Sequence, residues 1–124
     1  MERIHSDDAP KAIGPYSQAI QAGNLIFTSG QVSLDPATGE LVLGDFEAQA
    51  RRVFANLRAV LAAAGAGFSD VVKATVYVTD LANFGALNAI YAEAFGDHKP
   101  ARTTVQVSAL PKGAALEIDL IAVK

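Results

Sequence analysis

The segment of residues 46–64 constrains the fold of this chain most strongly. Its apolar side chains recur at steps of three and four residues, which is the spacing of one face of an α-helix. Asp45 is suited to cap the amino end, and Gly65 to adopt a left-handed conformation after the carboxyl end. The pattern therefore predicts a long amphipathic helix whose apolar face needs a second layer. That face consists of Phe46, Ala50, Val53, Phe54, Leu57, Leu61 and Ala64.

Strands are predicted on both sides of this helix. Residues 19–22 and 25–29 flank Gly23 and Asn24, a pair that suits the tight turn of a hairpin. The following residues 31–43 are predicted as loop and turn. Residues 71–79 alternate, which indicates a strand with one fully apolar side. Val72, Ala74, Val76 and Val78 form that side, and Val71, Lys73, Thr75, Tyr77 and Thr79 form the other.

The last third of the chain predicts a second helix and two more strands. The helix covers residues 83–95 and stops at Gly96, and residues 102–107 and 116–123 form a further hairpin. The order is then ββαβαββ. Two helices on one face of a mixed sheet make an α+β fold, a two-layer sandwich, and no linker divides residues 1–124, so one domain is expected. The apolar stripe of the second helix is Phe84, Leu87, Tyr91, Ala94 and Phe95.

The other face of the sheet predicts a partner subunit. In the last strand, the alternate apolar residues that start at Leu116 are expected to face the helices. The opposite face then presents Glu117, Asp119, Ile121 and Val123, together with Val71 and Tyr77 of the earlier strand. A mixture of aliphatic and charged side chains is better explained by a second copy than by solvent, so a homo-oligomer is expected. The alternative is scattered surface apolar residues, which are common.

Composition and motifs exclude several classes of function. The 124 residues include 10 Lys and Arg, 13 Asp and Glu and no Cys, so the formal charge is −3. This balance argues against a nucleic-acid partner, and no apolar stretch is long enough for a membrane span. The first ten residues lack the apolar region of a signal peptide. His5 and His98 lack the spacing of metal ligands, so no metal is expected. Nucleotide-binding glycine motifs and a serine-hydrolase elbow are also missing. A soluble, cytoplasmic protein is expected.

Two charged residues in the last strands are candidates for chemistry. Arg102 opens a strand, where the sheet backbone holds it, and its guanidinium is suited to bind a carboxylate through two hydrogen bonds. Glu117 lies on the face expected to meet a partner, where burial raises the pKa of a carboxyl and fits it for acid–base work near neutral pH. The alternatives are an exposed arginine at a strand end and a solubilising edge-strand glutamate paired with Arg or Lys.

Two polar residues in unusual positions complete this set. Asn88 falls inside the apolar stripe of the second helix, between Phe84 and Tyr91, where a buried amide needs hydrogen-bond partners. It either binds a ligand or ties down a neighbouring loop. Tyr16 lies in a stiff turn before the first hairpin, and its alternative role is core packing with the hydroxyl bonded to backbone.

Five segments together resemble the RidA (YjgF/YER057c/UK114) family of enamine and imine deaminases, across essentially the whole chain. They are residues 12–19 (AIGPYSQA), 28–31 (TSGQ), 83–91 (NFGALNAIY), 100–102 (PAR) and 110–118 (LPKGAALEI). The resemblance implies a chorismate-mutase-like α+β fold and a homotrimer whose sheets face inward. It also implies three active-site clefts, each between two subunits.

Site residues follow from the resemblance by position. Arg102 matches the carboxylate-binding arginine of the family, and Glu117 matches the acid that holds the attacking water. Positions that line the family's cleft are matched by Tyr16, Ser29, Asn88 and Thr104. Many members have a cysteine where Thr104 stands, and Asp119 replaces a common glutamate.

The resemblance implies hydrolysis of 2-imino acids and their enamine tautomers, among them 2-iminobutanoate and 2-iminopropanoate, to 2-keto acids and ammonia. This reaction uses no cofactor. The alternative is a non-catalytic regulatory module of the same fold that binds 2-keto acids. Such a module needs Arg102 for the ligand carboxylate but does not need Glu117.

Overall fold

The computed structural model describes residues 1–42 and 44–124, and Leu43, the last residue of the predicted loop, lies outside the described residues. The first helix, α1, spans Phe46–Ala63. Asp45 caps it, because its carboxylate accepts a hydrogen bond of 2.9 Å from the Ala48 amide. Gly65 follows the helix with a φ of +76°, a conformation that a residue with a Cβ rarely takes. Both predicted ends of α1 are confirmed.

Two helices accompany a six-stranded mixed sheet, so the predicted two-layer α+β fold is confirmed. The strands are β1 Glu2–Ile4, β2 Ala19–Ala22, β3 Leu25–Thr28, β4 Val71–Val78, β5 Ala101–Gln106 and β6 Leu116–Val123. Their order across the sheet is β1-β2-β3-β6-β4-β5. In the described chain β4 and β5 pair in parallel, and the other neighbours pair antiparallel. β6 is therefore a central strand.

The sheet differs from the sequence prediction in two respects. The sequence does not predict β1, because three residues carry too little periodicity, and this strand forms by pairing with β2. The predicted hairpin of the last two strands is wrong. β5 runs parallel to β4 at the sheet edge, while β6 pairs with β3 and β4. The element order is thus βββαβαββ.

The two faces of the sheet follow the predicted alternation in β6 but not throughout β4. Leu116, Ile118, Leu120 and Ala122 are buried, and the residues between them are half-buried on the opposite face, which we call the open face. In β4 the register shifts between Val71 and Lys73, which is a β-bulge. Val71 is consequently buried and Val72 is 45 % exposed, so their predicted places are wrong.

The second helix, α2, spans Phe84–Phe95 and follows a 3₁₀ turn at Leu81–Asn83, where the sequence predicts the helix to begin at residue 83. Leu87 and Phe95 are buried as predicted. Phe84 is 40 % exposed, so its predicted place in the apolar stripe is wrong. The reason is that the ring faces the guanidinium of Arg102 on the edge strand rather than the core.

A buried asparagine connects α1 to the loop after β3. Asn56 is fully buried, and its Nδ2 donates hydrogen bonds to the carbonyl oxygens of Val32 at 3.3 Å and Leu34 at 2.9 Å. Its Oδ1 accepts a hydrogen bond of 3.0 Å from Arg52 Nε. The amide therefore holds the loop against the helix, and it satisfies two backbone oxygens of that loop.

Replacing this amide should destabilise the fold. We expect Asn56→Ala to lower the free energy of unfolding by about 2–3 kcal/mol, because two loop carbonyls lose their donor and a cavity opens. Urea unfolding followed by circular dichroism measures the change. Arg51→Ala is the control on the same helix, and its midpoint should stay near that of the wild type, since exposed ion pairs contribute little. Equal midpoints for Asn56→Ala and wild type would contradict the prediction.

Candidate active site

Glu117 lies on the open face, near the start of β6. Beyond β3, the chain continues to pair with β6, because the Gln31 N–H donates to the Ile118 carbonyl at 2.9 Å and the Ile118 N–H donates back at 3.1 Å. This pairing brings Gly30 against the carboxyl group. A Cβ on Gly30 would lie 2.6 Å from Glu117 Oε2. Glycine therefore provides the room that the carboxyl occupies, and a larger residue would displace it.

A cleft of about 300 Å³ opens beside this carboxyl, and we call it the glutamate cleft. Two predicted site residues, Tyr16 and Ser29, line it together with Glu117. Tyr16 is 47 % exposed, and its hydroxyl accepts a long hydrogen bond of 3.5 Å from the Ile13 amide. Its ring thus faces the cleft and solvent and does not pack in the core. The remaining lining residues are Ile13, Gly30, Val32, Leu34, Pro111 and Lys112.

Ser29 fixes the segment that carries Tyr16. Its hydroxyl donates a hydrogen bond of 2.5 Å to the Ser17 carbonyl, and its N–H donates to the Gln18 carbonyl at 2.9 Å. The Gln18 side chain is buried and bonds to the backbone of Ser6 and Pro10. Because the one hydroxyl proton of Ser29 is already engaged, this group is left to act toward a ligand only as an acceptor.

The surroundings of the Glu117 carboxyl favour its protonated form. Burial raises its pKa above the ordinary glutamate value, and the neighbouring negative charge of Asp119 raises it further. Burial also raises the pKa of Asp119, while the neighbouring Tyr77 hydroxyl acts in the opposite direction. Among the described residues no Lys or Arg forms an ion pair with Glu117. The predicted alternative of a solubilising, paired glutamate on an edge strand does not describe this site.

Arg102 lies in β5 under α2, where three contacts hold its guanidinium. Nη1 donates a hydrogen bond of 2.8 Å to Asn88 Oδ1. The guanidinium carbon lies 4.8 Å from the ring centre of Tyr91 and 5.4 Å from that of Phe84. These contacts fix the plane of the group, and in the described part of the chain its other N–H groups have no acceptor. Asn88 thus holds an arginine rather than a loop, and Arg102 is half-buried rather than an exposed strand end.

Two buried hydroxyl groups accompany Arg102. Thr104 follows it by two residues on the same side of β5, and among the described residues neither Thr104 Oγ1 nor the Tyr91 hydroxyl has a hydrogen-bond partner. Burial raises the pKa of Tyr91, while the charge of Arg102 lowers it. An unpaired buried hydroxyl is costly, so two of them beside one guanidinium are typical of a site that a ligand or water completes.

The candidate residues form two groups on opposite faces of the sheet. Arg102 lies opposite the buried Ala74 of β4, whereas Glu117 lies opposite Tyr77 on the open face. Since side chains alternate along a strand, Ala74 and Tyr77 point to different faces. Within one chain the structure therefore brings Glu117, Tyr16 and Ser29 together and brings Arg102, Asn88 and Thr104 together. It does not bring the two groups together.

Sequence reasoning missed three residues of these groups. Gly30 has no side chain to suggest a role, and its importance depends on a long-range pairing with β6. Phe84 and Tyr91 have the spacing of ordinary core residues. The polar residue Asn88 between them could have pointed to their role. A helix face that carries an amide among aromatic rings packs against a polar group as well as against the apolar core.

The described residues add two findings on other classes of site. Residues 1–42 and 44–124 contain no group of three His, Asp or Glu side chains arranged to hold a metal ion. None of the helices in this part of the chain is long and apolar enough to cross a membrane.

The fold and the two groups define a small α+β protein with a fixed guanidinium on one face of its sheet and a half-buried carboxyl on the other. The family model described as Endoribonuclease L-PSP matches residues 6–124. This chain belongs to that family, the RidA (YjgF) family. The resemblance found in the sequence is confirmed.

Three relatives illustrate the similarity. Protein DfrA of Myxococcus xanthus is 61 % identical over 122 residues, which cover 97 % of this chain and 93 % of that protein. The 2-iminobutanoate/2-iminopropanoate deaminase of Mus musculus is 48 % identical over 121 residues, covering 98 % of this chain and 90 % of the mouse protein. The crystal structure of E. coli TdcF with bound serine has a TM-score of 0.95 at 42 % identity, covering 100 % of this chain and 99 % of that one.

The charge of Asp119 should be visible in the titration of Glu117. We expect Asp119→Asn to lower the pKa of Glu117, because the loss of a nearby negative charge favours the ionised carboxylate. The pKa should stay above the ordinary value, since burial remains. Carbon-13 NMR of the side-chain carboxyl against pH measures it, and Asp7→Asn, which removes an exposed carboxylate, is the control. An unchanged midpoint in Asp119→Asn would mean that burial alone sets this pKa.

Proposed function

We propose that this protein is a deaminase that hydrolyses 2-imino acids, among them 2-iminobutanoate and 2-iminopropanoate, and their enamine tautomers to 2-keto acids and ammonia. The observation that carries the proposal is the fixed guanidinium of Arg102, which keeps donors free for a carboxylate. The mouse relative bears the name of this activity. The structure of TdcF contains bound serine, a small molecule that has a carboxylate next to C2, as a 2-imino acid does.

The chemistry requires water to attack C2 of the imine. Arg102 binds the substrate carboxylate and places C2 beside a water molecule held by Glu117. Glu117 takes a proton from this water while the oxygen bonds to C2 and the π electrons move to the protonated nitrogen. Glu117 then returns the proton to nitrogen, and the C–N bond breaks with its electron pair leaving on ammonia. The hydroxyl gives its proton to the Glu117 carboxylate as the keto group forms, and the departing ammonia takes up this proton as ammonium. Imines also hydrolyse unaided, so orientation and one acid–base group suffice.

The proposed site needs two copies of the chain, because Arg102 and Glu117 lie on opposite faces of one sheet. The open face favours such an assembly. It carries the apolar side chains of Leu25, Phe27 and Val105, which are 36 %, 40 % and 39 % exposed. In a homotrimer whose open faces meet, these side chains are covered. Arg102 can approach Glu117 of the next subunit in this assembly because its strand, β5, is at the edge of the sheet.

The description of the family model names RNA cleavage, and the site favours a small ligand instead. The open face around Glu117 carries Asp119 as a second carboxylate, and the chain has a formal charge of −3. Both features repel a phosphate backbone, whose binding depends on many Lys and Arg contacts. A single carboxylate needs only the one fixed guanidinium of Arg102.

Removing the guanidinium should abolish most of the activity. We expect Arg102→Ala to lower kcat/KM for 2-iminobutanoate by about 30-fold to several thousandfold, or about 2–5 kcal/mol of transition-state binding. An amino-acid oxidase supplies the imine, and the protein competes with semicarbazide, which traps it. Arg58→Ala is a matched control, because Arg58 also lies over an aromatic ring, that of Phe68, but outside both groups. Its kcat/KM should equal that of the wild type.

The same assay separates catalysis from mere binding. Glu117→Gln should retain affinity for a 2-keto acid in calorimetry while kcat falls, because the amide cannot take a proton from water. Unchanged kcat/KM in Arg102→Ala would overturn the proposal. The regulatory module would be favoured if the wild type hydrolyses no imine but binds 2-keto acids, and if this binding is lost in Arg102→Ala.

Mixed subunits should test whether the site is shared. Trimers assembled from equal amounts of Arg102→Ala and Glu117→Gln chains contain some interfaces with both native residues. Random assembly should recover about one quarter of the wild-type activity, since a quarter of the interfaces combine an intact arginine with an intact glutamate. Native mass spectrometry of the mixture verifies the trimers, and each variant alone is the control. No recovery in verified mixed trimers would mean that the two residues do not share a site.

A further inference from the structure

Arg102 also lines a second cavity, whose other residues take no part in the proposed attack of water. It measures about 360 Å³, and its walls come from the end of α2, the loop after it and the start of β5. We call it the distal cavity, and it is lined by Tyr91, Ala92, Phe95, Gly96, His98, Lys99, Pro100 and Arg102. Its volume exceeds what the methyl or ethyl group of a small 2-imino acid fills.

The walls of the distal cavity are fixed by hydrogen bonds. His98 bonds through its ring Nε2 to the Val71 carbonyl at 2.6 Å, and its N–H donates to the Phe95 carbonyl at 3.1 Å. Gly96 turns the chain with a φ of +61° and donates to the Ala92 carbonyl at 2.9 Å. Lys99, which follows His98 and precedes a proline, therefore starts from a defined backbone position at the cavity.

The charge of the distal cavity is positive. Lys99 and Arg102 both line it, and the described lining contains no Asp or Glu. Neither cation forms an ion pair among the described residues. The glutamate cleft differs, because its lining includes Glu117. The same lining includes the rings of Tyr91 and Phe95, which suit the methylene groups of a ligand.

We propose that the distal cavity receives the side chain of the 2-imino acid and that Lys99 favours side chains that end in a second carboxylate. The inference rests on the proposed function, since Arg102 must hold the first carboxylate. Arg102 and Lys99 then bind the two ends of a dicarboxylic imine, and the apolar walls contact the carbon chain between them. Lys99 is a specificity-determining residue and takes no part in the attack of water.

Charge reversal at Lys99 tests the proposal with two imines of equal carbon number. L-Glutamate oxidase supplies 2-iminoglutarate, and a general amino-acid oxidase supplies 2-iminopentanoate from norvaline. Lys99 is exposed, so its effect on the acidic imine is that of a solvent-screened ion pair. We expect Lys99→Ala to lower kcat/KM for 2-iminoglutarate about threefold and Lys99→Glu about tenfold. Both variants should lower kcat/KM for 2-iminoglutarate more than kcat/KM for 2-iminopentanoate, and this difference should shrink in high salt.

Lys124→Glu is the matched control, because it makes the same change in net charge at the carboxyl terminus, beside Gly65. It should leave both values unchanged. Equal effects of Lys99→Glu on the two imines, or none on either, would overturn the inference while the deaminase proposal stands. If wild type hydrolyses neither imine nor 2-iminobutanoate, the proposed function fails, and the inference fails with it.

Discussion

The pairing of β6 between β3 and β4 is the constraint on which the rest of the structure depends. Because successive side chains of a strand point to opposite faces, this pairing sends Leu116, Ile118 and Leu120 into the core and Glu117 and Asp119 to the open face. A slip of one residue would exchange the two sets and bury carboxylates among apolar side chains at a high cost. Core packing therefore fixes the position of the Glu117 backbone, and Gly30 leaves its carboxyl the space it needs.

Arg102 obtains its rigidity in a different way, because β5 is an edge strand with a single neighbour. The sheet places only its backbone. Its guanidinium is held by α2, through the Asn88 oxygen and the rings of Phe84 and Tyr91. A flexible side chain that is already ordered loses less entropy when it binds a carboxylate, so these contacts favour binding beyond the attraction of the charge.

Local patterns predicted most of the elements, and long-range pairing accounts for the rest. The 46–64 periodicity, Asp45 and Gly65 define α1 without reference to any other part of the chain. The residues of β5 do not indicate which strand it pairs with, because its parallel partner β4 is separated from it in sequence by a whole helix. The site residues were predicted from their residue types and from the family resemblance. Their separation onto two faces became visible only with the register of β4 against β5 and β6.

The surroundings that suit Glu117 for acid–base work are incomplete in a single chain. Its carboxyl is half-buried, and burial already raises its pKa. In the proposed trimer, a partner excludes further water and acts in the same direction, whereas the approaching cation of Arg102 favours the ionised form. A substrate carboxylate on Arg102 neutralises that cation. The protonated nitrogen of the imine brings a new positive charge beside Glu117, which favours the ionised carboxylate before the attack. Because the π electrons neutralise this nitrogen as water attacks C2, the proton affinity of Glu117 rises at the step where it takes the proton.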